Sequence, residues 1–191
     1  MTTILYIHGF NSAGTTFKSQ ALRTELPNYK IISPTFDYKQ FDLVLKLLRS
    51  TFITNKIDIV VGTSAGGFMA LYASAKYHCK CIAINPVTHL TDTLKRFLGE
   101  NQNYITKQKY VITEQDIEKC RRFEEGEFSK IVLTDENTRF LLSNDDELLG
   151  DHHYLEEKYP QCHHFKYFDG YGHRFTSIKP VVAEIKEYLK K

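Results

Sequence analysis

Hydrophobic and polar residues follow one another along this chain in two different patterns. Short runs rich in Ile, Val and Leu recur from the N-terminus onward, and such runs are typical of strands buried in a parallel sheet. They predict strands at residues 3–8, 30–33, 57–61, 80–85 and 138–143, and the aromatic run at residues 164–168 predicts a last strand. Their lengths are ordinary for strands of a globular protein.

Between these runs, apolar residues are spaced three or four positions apart, as on one face of a helix. This spacing predicts helices at residues 41–52 and 177–189. Helices are also predicted at residues 16–25, before Pro27, at residues 68–75, from their helix-forming composition, and at residues 150–159. Strands that alternate with helices form a mostly parallel sheet with helices on both of its faces. The predicted fold class is therefore α/β.

Residues 87–128 interrupt this alternation. They are polar and aromatic and only partly helical in pattern, with Thr91 or Thr113 as candidate N-caps. We expect the chain, residues 1–191, to form a single domain in which residues 87–128 are a lid-like insertion over a site. Its aromatic residues would either line an apolar pocket or form a small structural core.

The charge pattern limits the classes of partner. The chain has 191 residues, of which 25 are basic and 23 acidic, and a formal net charge of +2. The two signs are mixed, without the basic stripe of a nucleic-acid-binding surface. No run approaches the roughly 18 apolar residues of a membrane span. We expect no nucleic acid partner and no membrane span, and the sequence leaves the oligomeric state open.

The cysteines and the N-terminus bear on the cellular compartment. The four cysteines have neither zinc-site spacing nor a Cys-x-x-Cys motif: Cys79, Cys81, Cys120 and Cys162. The first predicted strand begins almost at Met1, which leaves no room for a signal peptide. These observations predict a cytoplasmic protein whose cysteines are reduced and serve mainly as packing residues.

The most informative segment joins the third predicted strand to the helix that follows it. It reads Gly62-Thr63-Ser64-Ala65-Gly66, the Gly-x-Ser-x-Gly turn that presents a nucleophilic serine. Such a turn forces the serine into strained backbone angles, so the residues two positions away must be small. The alternative is a glycine-rich phosphate-binding turn, but the Gly-Lys-Ser/Thr and Gly-x-Gly-x-x-Gly signatures are missing. We therefore predict Ser64 as a nucleophile.

A serine hydroxyl needs a general base and an acid that orients the base. An acidic cluster follows the strand at residues 138–143, and His173 follows the last strand. The resulting order of serine, acid and histidine is that of an α/β-hydrolase. We predict His173 as the base and Asp146 as the acid, with Asp145 as the rival and Glu147 as a weaker one.

A tetrahedral intermediate also needs backbone donors for its oxyanion. The N–H of Ala65, directly after the nucleophile, is one candidate, and the N–H of Phe10, in the loop after the first strand, is the other. We expect His8 to support that loop. Adjacent histidines point in different directions, so the pairs at residues 152–153 and 163–164 predict no metal site. No cofactor is predicted.

These residues resemble the small bacterial esterases typified by YqiA and YcfP, within the α/β-hydrolase superfamily. The resemblance covers nearly the whole chain and is carried by residues 5–12, 62–67, 85–86, 98–104, 108–110, 146–149 and 172–175. It implies a compact hydrolase with a triad of Ser64, Asp146 and His173 that acts on acyl esters or thioesters. The run Asn144-Asp145 departs from the esterase branch, which tends to place a glycine before the acid.

Three functions are compatible with this set of residues. The first is a serine esterase that hydrolyses small acyl esters, with thioesters as an open alternative, through an acyl-enzyme. The second is a peptidase or amidase that uses the same triad. The third is a non-catalytic or regulatory binding protein that retains the hydrolase fold. We predict the first, with a small-molecule acyl ester or thioester as the partner.

Overall fold

The computed structural model describes residues 1–190, and six parallel strands form its central sheet. The eight strands of these residues are β1 (Thr3–Ile7), β2 (Lys30–Ile32), β3 (Ile59–Thr63), β4 (Lys80–Ile84), β5 (Gly99–Gln102), β6 (Lys109–Ile112), β7 (Thr138–Ser143) and β8 (Phe165–Phe168). The sheet order is β2-β1-β3-β4-β7-β8, and every pairing within it is parallel. The carboxyl ends of these strands therefore share one edge, where ligands of such sheets bind.

Helices cover both faces of this sheet. The seven α-helices of the described residues are α1 (Phe17–Glu25), α2 (Phe41–Thr54), α3 (Ala65–Tyr77), α4 (Leu90–Lys95), α5 (Glu114–Gly126), α6 (Tyr154–Lys158) and α7 (Lys179–Leu189). Two short 3-10 helices lie at Tyr38–Gln40 and Phe128–Lys130. Alternate residues of a strand point to opposite faces. Ile4 and Tyr6 of β1 accordingly pack with Leu22 of α1 and with Val181 and Ile185 of α7.

The other face carries the larger core. Leu5 and Ile7 of β1 pack there with Val44 of α2, and Phe68 of α3 belongs to the same cluster. All residues of α3 from Ala65 to position 74 are buried, because the helix lies between the sheet and the insertion. The predicted α/β class, with a mostly parallel sheet covered on both sides, is confirmed.

The helix predicted at residues 150–159 is shorter than expected. Only Tyr154–Lys158 is helical. The N–H groups of Leu148 and Leu149 donate to the side chain of Asp146, and Gly150 has a φ of 76°. The chain before α6 therefore wraps around a carboxylate instead of extending the helix.

Residues 87–128 contain α4, the antiparallel β5–β6 hairpin and α5. Thr113 caps α5 in a capping box with Asp116, whereas Thr91, the other candidate cap, lies inside α4. The hairpin is missing from the sequence prediction because β5 reads Gly-Glu-Asn-Gln, which has no alternating apolar pattern.

The aromatic residues of this insertion have two different environments. The rings of Phe123 and Phe128 lie 6.2 and 3.8 Å from the ring of Phe68, so they extend the core over α3. The hairpin instead contacts the loop after β1: the N–H of Tyr104 donates to the carbonyl of Asn11 at 2.9 Å. The insertion thus reaches one of the predicted site loops, and its role as a lid stays a prediction.

Two further expectations concern membrane crossing and the thiols. Among the helices of residues 1–190, none has the length and apolarity that a membrane crossing needs.

All four cysteines are buried free thiols. Burial raises the pKa of Cys79 and of Cys120 to about 12. Thiols with so high a pKa stay protonated and inert, as packing residues do.

Candidate active site

Ser64 lies at the turn between β3 and α3, at the carboxyl edge of the sheet. Its backbone has a φ of 57° and a ψ of −121°, which non-glycine residues rarely adopt. Two hydrogen bonds hold this conformation: the Ser64 N–H donates to the carbonyl of Ile84 at 2.9 Å, and the Val87 N–H donates to the carbonyl of Ser64 at 3.2 Å. The predicted strained turn is therefore present, and neighbouring backbone stabilises it.

Glycines make this turn possible by allowing close backbone approach. A Cβ on Gly62 would lie 2.0 Å from the carbonyl oxygen of Gly66, and one on Gly66 would lie 2.1 Å from the carbonyl oxygen of Ile7. Gly62 thus serves the turn itself, whereas Gly66 lets α3 begin directly against β1. A Cβ on Gly9 would lie 3.3 Å from Cβ of Ser64, so the loop after β1 also packs against the serine.

The side chains of Ser64, His173 and Asp146 form one hydrogen-bonded row. Nε2 of His173 lies 3.0 Å from Oγ of Ser64, and Nδ1 lies 2.9 and 3.0 Å from the two carboxylate oxygens of Asp146. An ionised carboxylate can only accept, so Nδ1 carries a proton and Nε2 is left to accept one from the serine. This arrangement can transfer a proton away from the serine hydroxyl.

The rival acids have other partners. Asp145 is exposed and accepts the hydroxyl of Ser143 at 2.7 Å. Glu147 accepts the backbone N–H of His173 at 2.8 Å, so it holds the histidine loop and not the ring. Asp146 is the acid of this cluster that the structure brings to the imidazole.

The surroundings of Asp146 favour its ionised form. Burial by itself would raise the pKa of this carboxyl. Hydrogen bonds from His152, His173 and the N–H of Leu149 outweigh that effect and hold the pKa of Asp146 below its ordinary value. The carboxylate therefore stays charged at neutral pH, as it must to stabilise an imidazolium.

The two predicted oxyanion donors belong to the loop after β1 and to the start of α3. Ala65 is the first residue of α3, and the first N–H groups of a helix have no acceptor within it. Phe10 follows Gly9 in the loop that packs against Ser64, and within residues 1–190 its N–H donates to no backbone carbonyl. Neither group is thus engaged by a backbone acceptor of its own element, and their role as oxyanion donors stays a prediction.

His8 fixes the shape of the loop that carries Phe10. Its Nε2 accepts the N–H of Phe36 at 2.8 Å, so its Nδ1 carries the proton and donates to the carbonyl of Gly9, also at 2.8 Å. The side chain is buried, and burial lowers the pKa of His8 to about 4 despite the hydrogen bond to Gly9. His8 is therefore a neutral support of the loop, as expected.

Asn85 is a positioning residue that the sequence analysis noted only as part of the family resemblance, without a role. Its φ is 40°, and its side-chain amide donates to the carbonyls of Gly172 and His173 at 3.0 and 3.1 Å. Its Oδ1 accepts the N–H of Ser143 at 2.8 Å. One side chain at the end of β4 thus joins the loops that carry Asp146 and His173. Its position at the end of a predicted strand was the available signal.

His152 is the second residue that was not anticipated. Its Nε2 lies 2.8 Å from Oδ2 of Asp146, and its side chain is buried. His153, its neighbour, is exposed and stacks on Tyr167 at a ring distance of 4.3 Å. Within residues 1–190 no three His, Cys, Asp or Glu side chains are grouped so that they could hold a metal ion.

The insertion contacts two of the loops that carry predicted site residues. The rings of Phe10 and Phe97 lie 4.7 Å apart, which brings the segment after α4 to the loop after β1. Nη1 of Arg96 donates to the carbonyl of Leu148 at 3.4 Å, and the Leu148 side chain is 57% exposed. The insertion therefore contacts both the loop of Phe10 and the loop of the acid.

Known proteins resemble this chain in sequence and in fold. The sequence model of the family described as "Uncharacterised protein family (UPF0227)" matches residues 3–190. Est1E from Butyrivibrio proteoclasticus is similar in structure, with a TM-score of 0.70 and 15% identity over 98% of this chain and 86% of that chain. Alpha/beta hydrolase domain-containing protein 10 from mouse has a TM-score of 0.69 and 17% identity, over 98% and 89% of the two chains.

A third similar structure is the esterase domain of a Rhodothermus marinus protein, with a TM-score of 0.62 and 15% identity over 96% of this chain and 82% of that chain. At such identities the likeness establishes the fold. The family match, in contrast, spans nearly the entire sequence. The chain therefore belongs to the UPF0227 family, which is the family of YqiA and YcfP, and the resemblance inferred from its sequence is confirmed.

Proposed function

We propose that this protein is a serine esterase that hydrolyses small acyl esters through an acyl-enzyme formed on Ser64. The observation that carries the proposal is the 3.0 Å contact between Oγ of Ser64 and Nε2 of His173, with Asp146 bonded to the other ring nitrogen. A hydroxyl with a base and an orienting acid is the arrangement that activates serine for acyl transfer. The Rhodothermus marinus relative in fold is described as an esterase domain, which favours ester substrates.

The chemistry proceeds in two halves. Oγ of Ser64 attacks the acyl carbon while Nε2 of His173 takes the hydroxyl proton, and Asp146 stabilises the imidazolium. The imidazolium then protonates the departing alkoxide, which leaves as an alcohol. Water attacks the acyl-enzyme with His173 as the base, releasing the carboxylic acid and regenerating Ser64. A thioester would follow the same course with a thiol as the leaving group.

The oxyanion of each tetrahedral intermediate would accept hydrogen bonds from the N–H groups of Phe10 and Ala65. Each such donor is typically worth about 3 kcal/mol of transition-state stabilisation. The unpaired state of the Phe10 N–H and the helix-start position of Ala65 support this role. Neither group has to move for the reaction, because both belong to backbone held by neighbouring elements.

Residues 87–128 would act as the lid of a single-domain enzyme. Phe97 contacts the ring of Phe10, and the hairpin bonds to the same loop through Asn11. We therefore assign the acyl group of the substrate to the apolar surface beside Phe10. A small acyl group suits this surface because Phe10 and Phe97 are both half-buried.

Labelling of the nucleophile tests the proposal. A fluorophosphonate probe should modify Ser64 in the wild-type protein, and Ser64→Ala should abolish both labelling and hydrolysis of a short nitrophenyl ester. Triad members act as a unit, so kcat should fall by about 10⁶-fold, by analogy with other serine hydrolases. Ser50→Ala, which alters an exposed serine of α2, is the matched control and should keep full labelling. Unchanged turnover in Ser64→Ala would contradict the proposal.

Substrate panels separate the proposal from its alternatives. Nitrophenyl esters of graded chain length, acyl thioesters and peptide anilides should be compared by kcat/KM. A preference for the anilides would favour a peptidase or amidase. A folded protein that reacts with no serine probe would favour a non-catalytic binding role.

A further inference from the structure

Asp146 has two histidine partners instead of one. Its Oδ2 lies 2.9 Å from Nδ1 of His173 and 2.8 Å from Nε2 of His152. Its Oδ1 accepts the N–H groups of Leu148 and Leu149 at 3.0 and 2.8 Å. The orientation of this carboxylate is therefore fixed by donors on several sides, and the ring of His152 is the one side chain among them that the proposed mechanism does not use.

The surroundings of His152 determine its tautomer. Its side chain is 1% exposed, and its Nδ1 has no hydrogen-bond partner within residues 1–190. Because Asp146 can only accept, Nε2 of His152 must carry a proton. A second proton on Nδ1 would bury an N–H without an acceptor, whereas a neutral ring leaves only a lone pair there. His152 is thus a neutral ring with its proton on Nε2.

We propose that His152 is a positioning residue for the pair of His173 and Asp146. Its hydrogen bond holds Oδ2 in the place where it meets the Nδ1–H of His173. This inference rests on the proposed function, because it assigns His152 to the orientation of the general base. His152 does not touch the reacting atoms, and its role is to keep the acid of the triad in one orientation.

The bond from His152 also has an electrostatic consequence. A donor on Oδ2 draws negative charge away from the side that faces His173, so it weakens the stabilisation of the imidazolium. Loss of that donor should therefore strengthen the attraction between Asp146 and a charged imidazole of His173 while leaving the carboxylate less well oriented. These two effects together distinguish a positioning role from a packing role, which would lower stability alone.

The remaining ionisable groups around this loop have partners of their own. Asp145 accepts a hydrogen bond from the hydroxyl of Ser143, and Glu147 accepts one from the backbone N–H of His173. Asp151 is bonded to the backbone N–H and to ring Nδ1 of His153. On the elements packed nearby, His89 pairs with Glu124, Arg96 donates to a backbone carbonyl, and the hydroxyl of Tyr154 bonds to Thr88. Asp146 is therefore the ionised group to which His152 is directly bonded.

Two substitutions at this position and one beside it test the proposal. His152→Leu removes the donor and fills the site with an apolar side chain, whereas His152→Gln keeps an N–H that can reach Asp146. We expect His152→Leu to lower kcat by about 10- to 100-fold with little change in KM, the usual effect of losing a group that orients a functional histidine. His152→Gln should stay within a few-fold of the wild type. His153→Gln, at the exposed neighbouring histidine, is the control and should have the kcat of the wild type.

The pH profile supplies the second readout. The acidic limb of kcat/KM should move to higher pH in His152→Leu and return toward the wild type in His152→Gln. An unchanged kcat and acidic limb in His152→Leu would overturn the proposal. So would equal losses in both variants, because then any change of side chain would be damaging.

Ring-nitrogen NMR of ¹⁵N-histidine protein tests the same idea without catalysis. In the wild type and in Ser64→Ala, His152 should carry its proton on Nε2 alone at neutral pH. The ring-nitrogen resonances of His173 should shift in His152→Leu, because its Nδ1–H then meets a differently oriented carboxylate. If the wild type fails to turn over esters, the proposed function fails, while these spectra still test the role of His152. A proton on Nδ1 of His152, or an unshifted His173, would refute the inference.

Discussion

The adjacent residues Asp145 and Asp146 have opposite environments at the end of β7. Asp145 is exposed and accepts the hydroxyl of Ser143, whereas Asp146 is buried and bonds to two imidazoles. The sequence could not separate them with certainty, since both carboxylates follow the same strand. Their difference arises from the turn of the loop, which directs one side chain outward and the next toward His173.

This difference predicts unequal effects of the same chemical change. Asp146→Asn should lower kcat by about 10⁴-fold, as loss of the triad carboxylate does in other serine hydrolases, because the tautomer of His173 is no longer enforced. Asp145→Asn, the matched control, should change kcat only a few-fold. Steady-state hydrolysis of a nitrophenyl ester measures both. A larger loss for Asp145→Asn than for Asp146→Asn would show that the acid is misassigned.

At the scale of elements, the site depends on how closely α3 approaches β1. A Cβ on Gly66 would lie 2.1 Å from the carbonyl oxygen of Ile7 and 2.5 Å from that of His8. Both atoms are backbone of the strand and its loop, so neither can move aside as a flexible side chain would. The start of α3, and with it the Ser64 turn, is therefore fitted to the end of β1.

Alanine at two helical glycines should consequently have different effects on the free energy of unfolding. Gly66→Ala should lower the free energy of unfolding by about 3 kcal/mol, because α3 must move away from β1. Gly126→Ala, at the end of α5, meets no atom within 4 Å and should be neutral or stabilising by up to about 1 kcal/mol. Urea unfolding measures both values. Wild-type stability in Gly66→Ala would contradict the close packing described.

The elements also show what the sequence could and could not predict. The strands β1, β3, β4 and β7 were predicted within about two residues, because buried parallel strands are continuous apolar runs. The polar hairpin of β5 and β6 was not, because its position depends on contacts with the loop after β1 and not on its own periodicity.

The same limit applies to the candidate site. Ser64, Asp146 and His173 stand in motifs or at strand ends, so their residue types and order were informative. Asn85 bonds to groups 58 and 87 residues away, and local sequence carries no sign of that distance. His152 was treated as one of a pair of ordinary histidines, because only the path of the loop around Asp146 directs its ring inward.

At the scale of the whole molecule, buried ionisable groups couple folding to pH. The pKa of His8 is about 4 in the folded protein, mainly because of burial, against about 6.5 for an exposed histidine. Between these values the unfolded chain binds more protons than the folded one, so stability falls as the pH drops through this window. Asp146 has a lowered pKa, so its contribution is present above the ordinary carboxyl range and is lost only in stronger acid.

The histidine effect is large enough to measure. From pH 8 to pH 5 the wild type should lose about 2 kcal/mol of unfolding free energy through His8. Between the same two pH values, the unfolding free energy of His8→Gln should fall by about 2 kcal/mol less than that of the wild type, because glutamine does not titrate. The stability of the variant at pH 8 will itself differ from that of the wild type. Urea unfolding at both pH values gives the slopes, and His153→Gln, an exposed histidine, should keep the wild-type slope. Equal slopes in His8→Gln and the wild type would rule out a neutral buried His8.

The amide of Asn85 has a consequence for how this molecule can diverge. It bonds to the end of β7 and to the loop after β8 at once, so a group that follows a third strand helps to set the spacing between Asp146 and His173. The parts of these two loops that lie outside the Asn85 hydrogen bonds can therefore change in sequence and length without altering the distance between Asp146 and His173. Descendants of this protein can accordingly acquire new ligand contacts in those parts of the loops while the pairing of Asp146 with His173 is preserved.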